Sequence, residues 1–202
     1  MKVVVFGANG RVGSAVCKIA RARGHRVCQV DVSSPLPQEA DVVIDFSSPS
    51  ALETVLDLCE RTGAFLVEGV TGYSESQRKQ LEKLQRQGKA DVKANFAQGE
   101  AIFEDICKFA ATLLHNFDKS LVEMHRKSKV DKPSGTAKRL AETLDIADGD
   151  VLSIRGGTVF GKHQVVFAGQ GEVITLTHEA ENVEVFALGA VVAAEKAYEK
   201  RQ

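Results

Sequence analysis

The sequence predicts an α/β fold: a parallel sheet covered by helices in the first half, and a smaller α+β part with an open mixed sheet in the second. Three observations lead there. Over roughly the first ninety residues, short apolar runs alternate with amphipathic stretches, the pattern of strands and helices stacked in layers. A turn with glycine at every third residue joins the first strand to the first helix. Beyond about residue 97 the texture changes to strand-like runs separated by glycine-rich links. The division expected from this is 1–96, with a closing helix from about 180 to 202, for the first part and 97–179 for the second.

Taken in order, Lys2 to Phe6 reads as the first strand, and Arg11 to Arg23 as a helix with Val12, Val16, Ile19 and Ala20 at helical spacing. Gly24 ends it. Arg26 to Asp31 and Asp41 to Phe46 form the next strands, and Pro49 to Arg61 a helix with Leu52, Val55, Leu56 and Leu58 inward. Ala64 to Glu68 follows as a strand. A helix then opens at Ser74, where Gln77 completes a capping box. Ala90 to Ala94 is the fifth strand of this half.

In the second half a helix from about Glu100 to Asn116 precedes a strand from Ser120 to His125, and another helix runs from near Ser134 to before Asp148. Three strands follow: Val151 to Arg155, His163 to Ala168 and Glu172 to His178. Their links, Gly156-Gly157 and Gly169-Gln170-Gly171, suit antiparallel turns. The helix Val185 to Tyr198 is apolar enough to return over the first sheet.

Composition bounds the function classes. The 202 residues are 44% hydrophobic and 26% charged, with a formal net charge of −1, so nothing draws the chain toward nucleic acid or an anionic membrane. No apolar run nears the roughly 20 residues of a membrane span, and the expected compartment is cytoplasmic. Cys17, Cys28, Cys59 and Cys107 contain no Cys-x-x-Cys pair and fall in apolar patterns, which suits small buried hydrophobes. One His25–Cys28 pair is not a zinc motif, and no metal site is expected.

Phe6-Gly7-Ala8-Asn9-Gly10-Arg11-Val12-Gly13 places its glycines between a strand and a helix, where backbone can approach a pyrophosphate held at the helix N-terminus. Asp31 ends the second strand, eighteen residues after Gly13, where an acid accepts hydrogen bonds from an adenosine ribose. Together these point to a Rossmann-type dinucleotide-binding domain in the first half, the alternative being a glycine turn that serves only helix–sheet packing. Asp31 modestly favours NADH over NADPH, because a carboxylate repels a 2′-phosphate; Ser33 and Ser34 behind it are able to hydrogen-bond one. Asp45, at a strand's C-terminal end, lies where such sheets bind ligands, and is better suited to holding local backbone.

The densest chemistry lies from Glu123 to Thr136. A strand end delivers His125, Arg126, Lys127 and Lys129 to one place, and Pro133-Ser134-Gly135-Thr136 then opens a helix with backbone N–H groups and hydroxyls. A substrate bearing carboxylates fits that set: helix-terminal donors, a lysine for charge and a histidine that gives a proton near neutral pH. From the residues alone, a solvated basic loop before an N-capped helix fits as well. Glu123 either orients His125 or sits on the opposite strand face.

Several motifs, in order, resemble those of the dihydrodipicolinate reductases over nearly the whole chain. They are the loop Gly7 to Gly13; Asp45-Phe46-Ser47-Ser48-Pro49; Gly69-Val70-Thr71-Gly72; Ala94-Asn95-Phe96; and His125 through Lys129 to Pro133-Ser134-Gly135-Thr136. Arg155-Gly156-Gly157, Gly161-Lys162-His163 and Glu172 to His178 follow in the same order. The resemblance implies reduction of 4-hydroxy-tetrahydrodipicolinate by NADH or NADPH in lysine (diaminopimelate) biosynthesis. The substrate is a small cyclic dicarboxylate. It also implies a homotetramer built by pairing the sheets of the smaller, substrate-binding and oligomerisation domains. The strands from Val151 to His178 offer alternating apolar faces, with Val165, Phe167, Val173, Ile174 and Leu176, which either pair in this way or serve as core alone.

By the same resemblance, His125 is the proton donor and Lys129 a substrate contact and electrostatic partner. Arg126, Ser134, Gly135 and Thr136 join Lys129 around the substrate. Gly7, Asn9, Gly10, Arg11, Val12, Gly13 and Asp31 hold the nucleotide, and Gly69, Val70, Thr71, Ala94, Asn95 and Phe96 border the nicotinamide. His163 and His178 stand at family positions as well, and each either has a site role or satisfies strand-edge hydrogen bonds.

The departures concern substrate and cofactor more than fold. Arg126 replaces the second histidine of a His-His pair, Val70 a threonine, Ala97 a serine and Val183 an arginine. Only nine residues separate Asp31 from Asp41, so that region is trimmed. Two other functions remain open on the same scaffold: an oxidoreductase for another amino- or imino-dicarboxylate, and a non-catalytic dinucleotide sensor.

Overall fold

The computed structural model describes residues 1–32 and 34–201. The chain forms two compact units: Met1–Phe96 together with the segment from Val183 onward, and Ala97–Asn182.

The first unit begins β1 (Lys2–Phe6), α1 (Arg11–Ala22), β2 (Arg26–Val30), β3 (Val42–Asp45), a 3-10 turn (Pro49–Ala51), α2 (Leu52–Thr62), β4 (Phe65–Glu68), α3 (Glu75–Arg86) and β5 (Ala90–Val92). The second unit holds α4 (Gln98–Leu113), β6 (Asp118–His125), α5 (Gly135–Leu144), a 3-10 turn (Asp148–Asp150), β7 (Val151–Arg155), β8 (Gly161–Gly169) and β9 (Glu172–Ala180). Finally α6 (Glu184–Glu199) returns to the first unit. No helix among the described residues is long and apolar enough to cross a membrane.

The first sheet is wholly parallel, in the order β2-β1-β3-β4-β5. Both faces are covered, so its three central strands, β1, β3 and β4, are nearly continuous runs of apolar residues. Period-two alternation sorts them into two cores. Val3, Val5, Val42, Ile44 and Val67 pack with Val16, Ala20 and the α6 residues Ala187, Ala190, Val191 and Ala194. Val4, Phe6, Val43 and Leu66 pack on the other side with Leu52, Val55, Leu58 and Leu81. The α6 contact is close: a Cβ at Gly189 would lie 1.7 Å from the Phe96 carbonyl oxygen. The capping box of Ser74 and Gln77 is present in full.

Within the second unit the sheet is mixed, in the order β7-β6-β8-β9. Leu121, Val165 and Phe167 face α4 and α5 and are buried against Phe103, Cys107, Leu140 and Leu144. The expectation of an antiparallel turn at Gly156-Gly157 is corrected: β7 runs parallel to β6 at the sheet edge, and the chain crosses the end of β6 to reach β8. That crossing is tied down by Gly156 N to His125 O, Arg126 N to Val159 O and Lys127 N to Gly157 O, at 3.0, 2.8 and 3.2 Å. Gly169 to Gly171 does turn the antiparallel β8–β9 hairpin, with Gly171 at φ +83°.

The helix expected to reach Asn116 stops at Leu113, where Leu114 leaves helical geometry (φ −102°, ψ 37°). His115 is therefore in the connecting turn rather than the helix. Phe117 accounts for the early stop, because its ring lies against Gly169, where a Cβ would come within 2.6 Å. All four cysteines are free thiols. Burial pushes Cys59 and Cys107 up to about 12, which keeps them unreactive.

Candidate functional site

β6 alternates, so Glu123 and His125 project from the same face, both buried. The Glu123 carboxylate is 2.5 Å from His125 Nδ1 through Oε2, and it receives both guanidinium arms of Arg155 at 2.7 and 2.9 Å. Arg155 reaches it because β7 pairs in parallel with β6, setting Arg155 beside His125. Two backbone oxygens also accept from its terminal nitrogens: Asp131 O at 2.5 Å and Ile154 O at 2.8 Å.

Burial alone would raise the Glu123 carboxyl, but the guanidinium and its other donors bring it down to about 2, so it is ionised throughout the neutral range. For His125 the balance goes the other way. Desolvation outweighs the neighbouring carboxylate and lowers the imidazole below its usual value. With Nδ1 turned to Glu123, Nε2 is the atom left to exchange a proton. Gly161 leaves space there, since a Cβ on it would sit 3.2 Å from Nε2.

Ser134 comes from the next element. Its backbone N donates to Glu123 Oε1 at 3.3 Å, and its Oγ caps α5 by accepting from Ala137 N at 3.2 Å. Gly135 and Thr136 form the first turn of α5, whose N-terminus carries positive partial charge and suits a carboxylate. Lys129 lies nearby in sequence, half-buried, and is paired with Asp131 at 2.7 Å. Arg126 Nε donates to Ser128 Oγ at 3.2 Å, just past the end of β6. Hence His125 and Ser134 share one carboxylate, Glu123, while Lys129 is engaged with Asp131.

From the sequence, Arg155 and Glu100 carry no site role, and His163 only a place at a family position. Arg155 needs the β6–β7 register to be seen. His163 Nε2 lies 3.3 Å from Ser134 Oγ, its ring 5.3 Å from that of His125 in an edge arrangement. Glu100, in the first turn of α4, is buried with its Oε2 at 2.6 Å from His178 Nδ1 and 3.5 Å from His163 Nδ1.

In the first unit, β1 and β3 lie side by side while β2 continues on the other side of β1, which makes a topological switch point at their C-terminal ends. The glycine loop sits there. Gly7 has φ +70° and accepts from Gly10 N at 2.8 Å; a Cβ on Gly13 would stand 2.1 Å from the Gly7 oxygen. Gly10 caps α1 without a side chain, and the first turn of α1 holds no acid, so its amides suit an external anion. This compact, side-chain-free cradle fits a dinucleotide pyrophosphate, with Asn9, Arg11 and Val12 along it.

Asp31 closes the loop: Oδ2 accepts from Asn9 N at 3.1 Å and Oδ1 from Val32 N at 3.0 Å. Ser34 Oγ accepts from Asp31 N at 3.0 Å, and Ser33 lies outside the described residues. Two of the other expected cofactor residues, Gly69 and Phe96, meet at Phe46. Gly69 is pressed against its ring, where a Cβ would come within 2.2 Å, and the Phe96 ring meets it edge-on at 6.1 Å. Thr71 and Ala94 are exposed, Asn95 is half-buried, and Val70 packs partly into the core.

Asp45 serves the backbone, accepting from Ser47 N at 2.8 Å and Ser47 Oγ at 2.6 Å. It faces Glu68 across β3 and β4, both fully buried. Burial, with Asp45 adding to it, raises the Glu68 carboxyl to about 8. His25 is structural too: it and Arg23 share the Glu195 carboxylate, each at 2.8 Å.

Two family models match. One is described as dihydrodipicolinate reductase, C-terminus, over residues 99–202; the other as dihydrodipicolinate reductase, N-terminus, over residues 24–96. Among curated proteins, a 4-hydroxy-tetrahydrodipicolinate reductase of Archaeoglobus fulgidus is 35% identical, covering 96% of this chain and 93% of its own. One from Stenotrophomonas maltophilia is 37% identical, covering 96% and 90%. Among solved structures, a dipicolinate-bound dihydrodipicolinate reductase from Paenisporosarcina sp. TG-14 has a TM-score of 0.75 at 21% identity, covering 98% of this chain and 95% of that one.

Proposed function

The chain belongs to the dihydrodipicolinate reductase family, and from that membership and the two site geometries we propose that it reduces 4-hydroxy-tetrahydrodipicolinate to tetrahydrodipicolinate with NAD(P)H, in lysine biosynthesis. The observation that carries the reading is the Glu123–His125 pair at the end of β6, locked by Arg155 and joined through Ser134 to the N-terminus of α5.

The reaction adds a hydride and a proton, and the substrate hydroxyl leaves together with a ring hydrogen as water. Bound nicotinamide supplies the hydride. The chain's own part is orientation, charge and the proton. Glu123 fixes the imidazole through Nδ1, so that Nε2–H is the acid. The lowered pKa of His125 makes its cation a strong donor, sparsely loaded in the free enzyme. A dicarboxylate bound beside it raises that pKa, so the acid is loaded when substrate arrives. Ser134, Gly135 and Thr136 hold one carboxylate at the helix N-terminus. Lys129 neutralises the substrate's charge by exchanging Asp131 for it, and Arg126 is placed to bind a carboxylate where relatives have a second histidine.

Asp31 would favour NADH, since a carboxylate at the end of β2 repels a 2′-phosphate. The second-unit sheet supports a homotetramer. Val165 and Phe167 are core, but Leu152, Ile154 and Val173 project on the face without helices and are exposed. Cytoplasmic operation accords with a soluble cofactor and substrate.

The test is oxidation of NADH or NADPH by freshly generated substrate. Turnover with both, faster with NADH, is expected; no turnover from folded protein with either sinks the proposal. Arg126, Val70 and Val183 make a panel of other amino- and imino-dicarboxylates worth including, and preference for one of them by orders of magnitude reassigns the substrate. Cofactor binding without turnover on any acid points to a sensor.

A further inference from the structure

The second unit contains a group of residues that the reductase chemistry does not use. β8 and β9 pair antiparallel with His163 directly opposite His178, so both imidazoles leave the same face of the sheet. The first turn of α4 lies over that face and brings Glu100 down between them. One ligating atom from each of the three lies within 4.8 Å of the other two.

We propose that Glu100, His163 and His178 form a site for one divalent transition metal ion, zinc being the best match. Two imidazole nitrogens and a carboxylate are a zinc donor set, with a fourth position for water. Bonds of about 2.0–2.2 Å in a tetrahedron separate donor atoms by about 3.3 Å. Oε2 of Glu100 is already 3.5 Å from His163 Nδ1; its 2.6 Å contact with His178 Nδ1 opens by a few tenths of an ångström.

Three further observations point to a cation. Glu100 is 1% exposed, and its ion-pair partners among the described residues are these two histidines alone, with no lysine or arginine. A buried carboxylate with no permanent cation beside it is costly, and a dication removes that cost. Second, both Glu100 oxygens and both Nδ1 atoms are buried without a hydrogen bond among the described residues, despite the short contacts. The atoms are close yet not aimed at one another, the relation that ligands of a common ion have. Third, His163 Nε2 is 3.3 Å from Ser134 Oγ, so a histidine ligating through Nδ1 has its other N–H directed at an oxygen.

Access and room are present. The His178 side chain is 19% exposed, and Gly99 makes space for its ring, since a Cβ there would lie 3.0 Å from Nε2. Sequence spacing hides the set because Glu100 lies in a helix far from both histidines in the chain.

The test is titration of metal-stripped full-length protein with zinc against a chromophoric chelator, and with cobalt(II) read by its visible absorption. One ion per chain is expected, with the intense visible bands of a four- or five-coordinate cobalt site. Glu100→Gln and His178→Ala should each weaken zinc binding more than about 100-fold, beyond what losing a merely supporting group costs. Imidazole nitrogen NMR of the unaltered protein gives a readout independent of whether variants fold: zinc should shift Nδ1, not Nε2, of two histidines. Absence of binding, unchanged affinity in folded variants, or loss of binding in His25→Ala instead, overturns the proposal.

Discussion

Replacing Glu123 with Gln keeps the side chain's size and removes one charge from a buried cluster. Arg155, only 6% exposed at its side chain, then has no carboxylate on it among the described residues. Breaking a buried ion pair from one side costs about 3–5 kcal/mol, because the remaining charge stays desolvated. The Asp131 and Ile154 carbonyls still accept from Arg155, and the Gln oxygen retains one contact, so the low end applies, about 3 kcal/mol. In a chain of this size that lowers the melting temperature by roughly 6–12 °C. Turnover should fall further, by about 100-fold or more, since the imidazolium loses its anionic partner. Urea unfolding followed by circular dichroism measures the first effect and steady-state cofactor oxidation the second. Changing Arg155 to Met in the same chain should recover much of the stability, because no charge is then stranded, and none of the turnover. A single variant within about 0.5 kcal/mol of the parent refutes the buried-pair reasoning. Unchanged kcat refutes the role given to His125.

The remaining expectations concern protons and glycines. His125→Gln should reduce kcat by about 100- to 10,000-fold with dinucleotide affinity unchanged, as fluorescence titration of NADH will show. In the parent, kcat/KM should rise as pH falls, with its midpoint below the usual histidine value, while the midpoint for kcat lies higher because bound substrate adds negative charge. Gly13→Ala should weaken dinucleotide binding at least about tenfold, since its methyl would stand 2.1 Å from the Gly7 oxygen and push the loop off the helix N-terminus. Glu68, with a folded value of about 8 against the usual 4.5, favours the folded state in its protonated form; stability should therefore decline as pH rises from about 4.5 to about 8. Glu68→Gln should flatten that slope in urea titrations across the range.

Local periodicity made most elements legible. Val3-Val4-Val5 reads as a strand buried on both faces, and Ser74 with Gln77 announces the start of α3. Errors arose where distant residues decide. Gly156-Gly157 has the composition of a hairpin turn, but β6 stands between β7 and β8, and pairing order is not written in either strand. The end of α4 depends on Phe117 meeting Gly169 across the unit. At the site, the two-residue spacing of Glu123 and His125 within a strand already implies a common face. Arg155 was hidden, because parallel pairing carries no local signature. His163 and His178 were readable in principle: a hairpin turning on Gly169–Glu172 places them opposite each other, equally far from its centre. Only Glu100 needed the tertiary fold.

The return of α6 has a consequence for synthesis. The nucleotide-binding unit cannot cover one face of its sheet until Ala187, Ala190, Val191 and Ala194 exist, and these emerge after the whole of the second unit. The second unit is continuous in the chain, from Ala97 to Asn182. On the ribosome, therefore, the order of completion is inverted: the segment made first finishes last, holding a half-dressed sheet while its successor folds. Nascent chains released before α6 would expose Val3, Val5 and Ile44, and that face is where a chaperone would engage them.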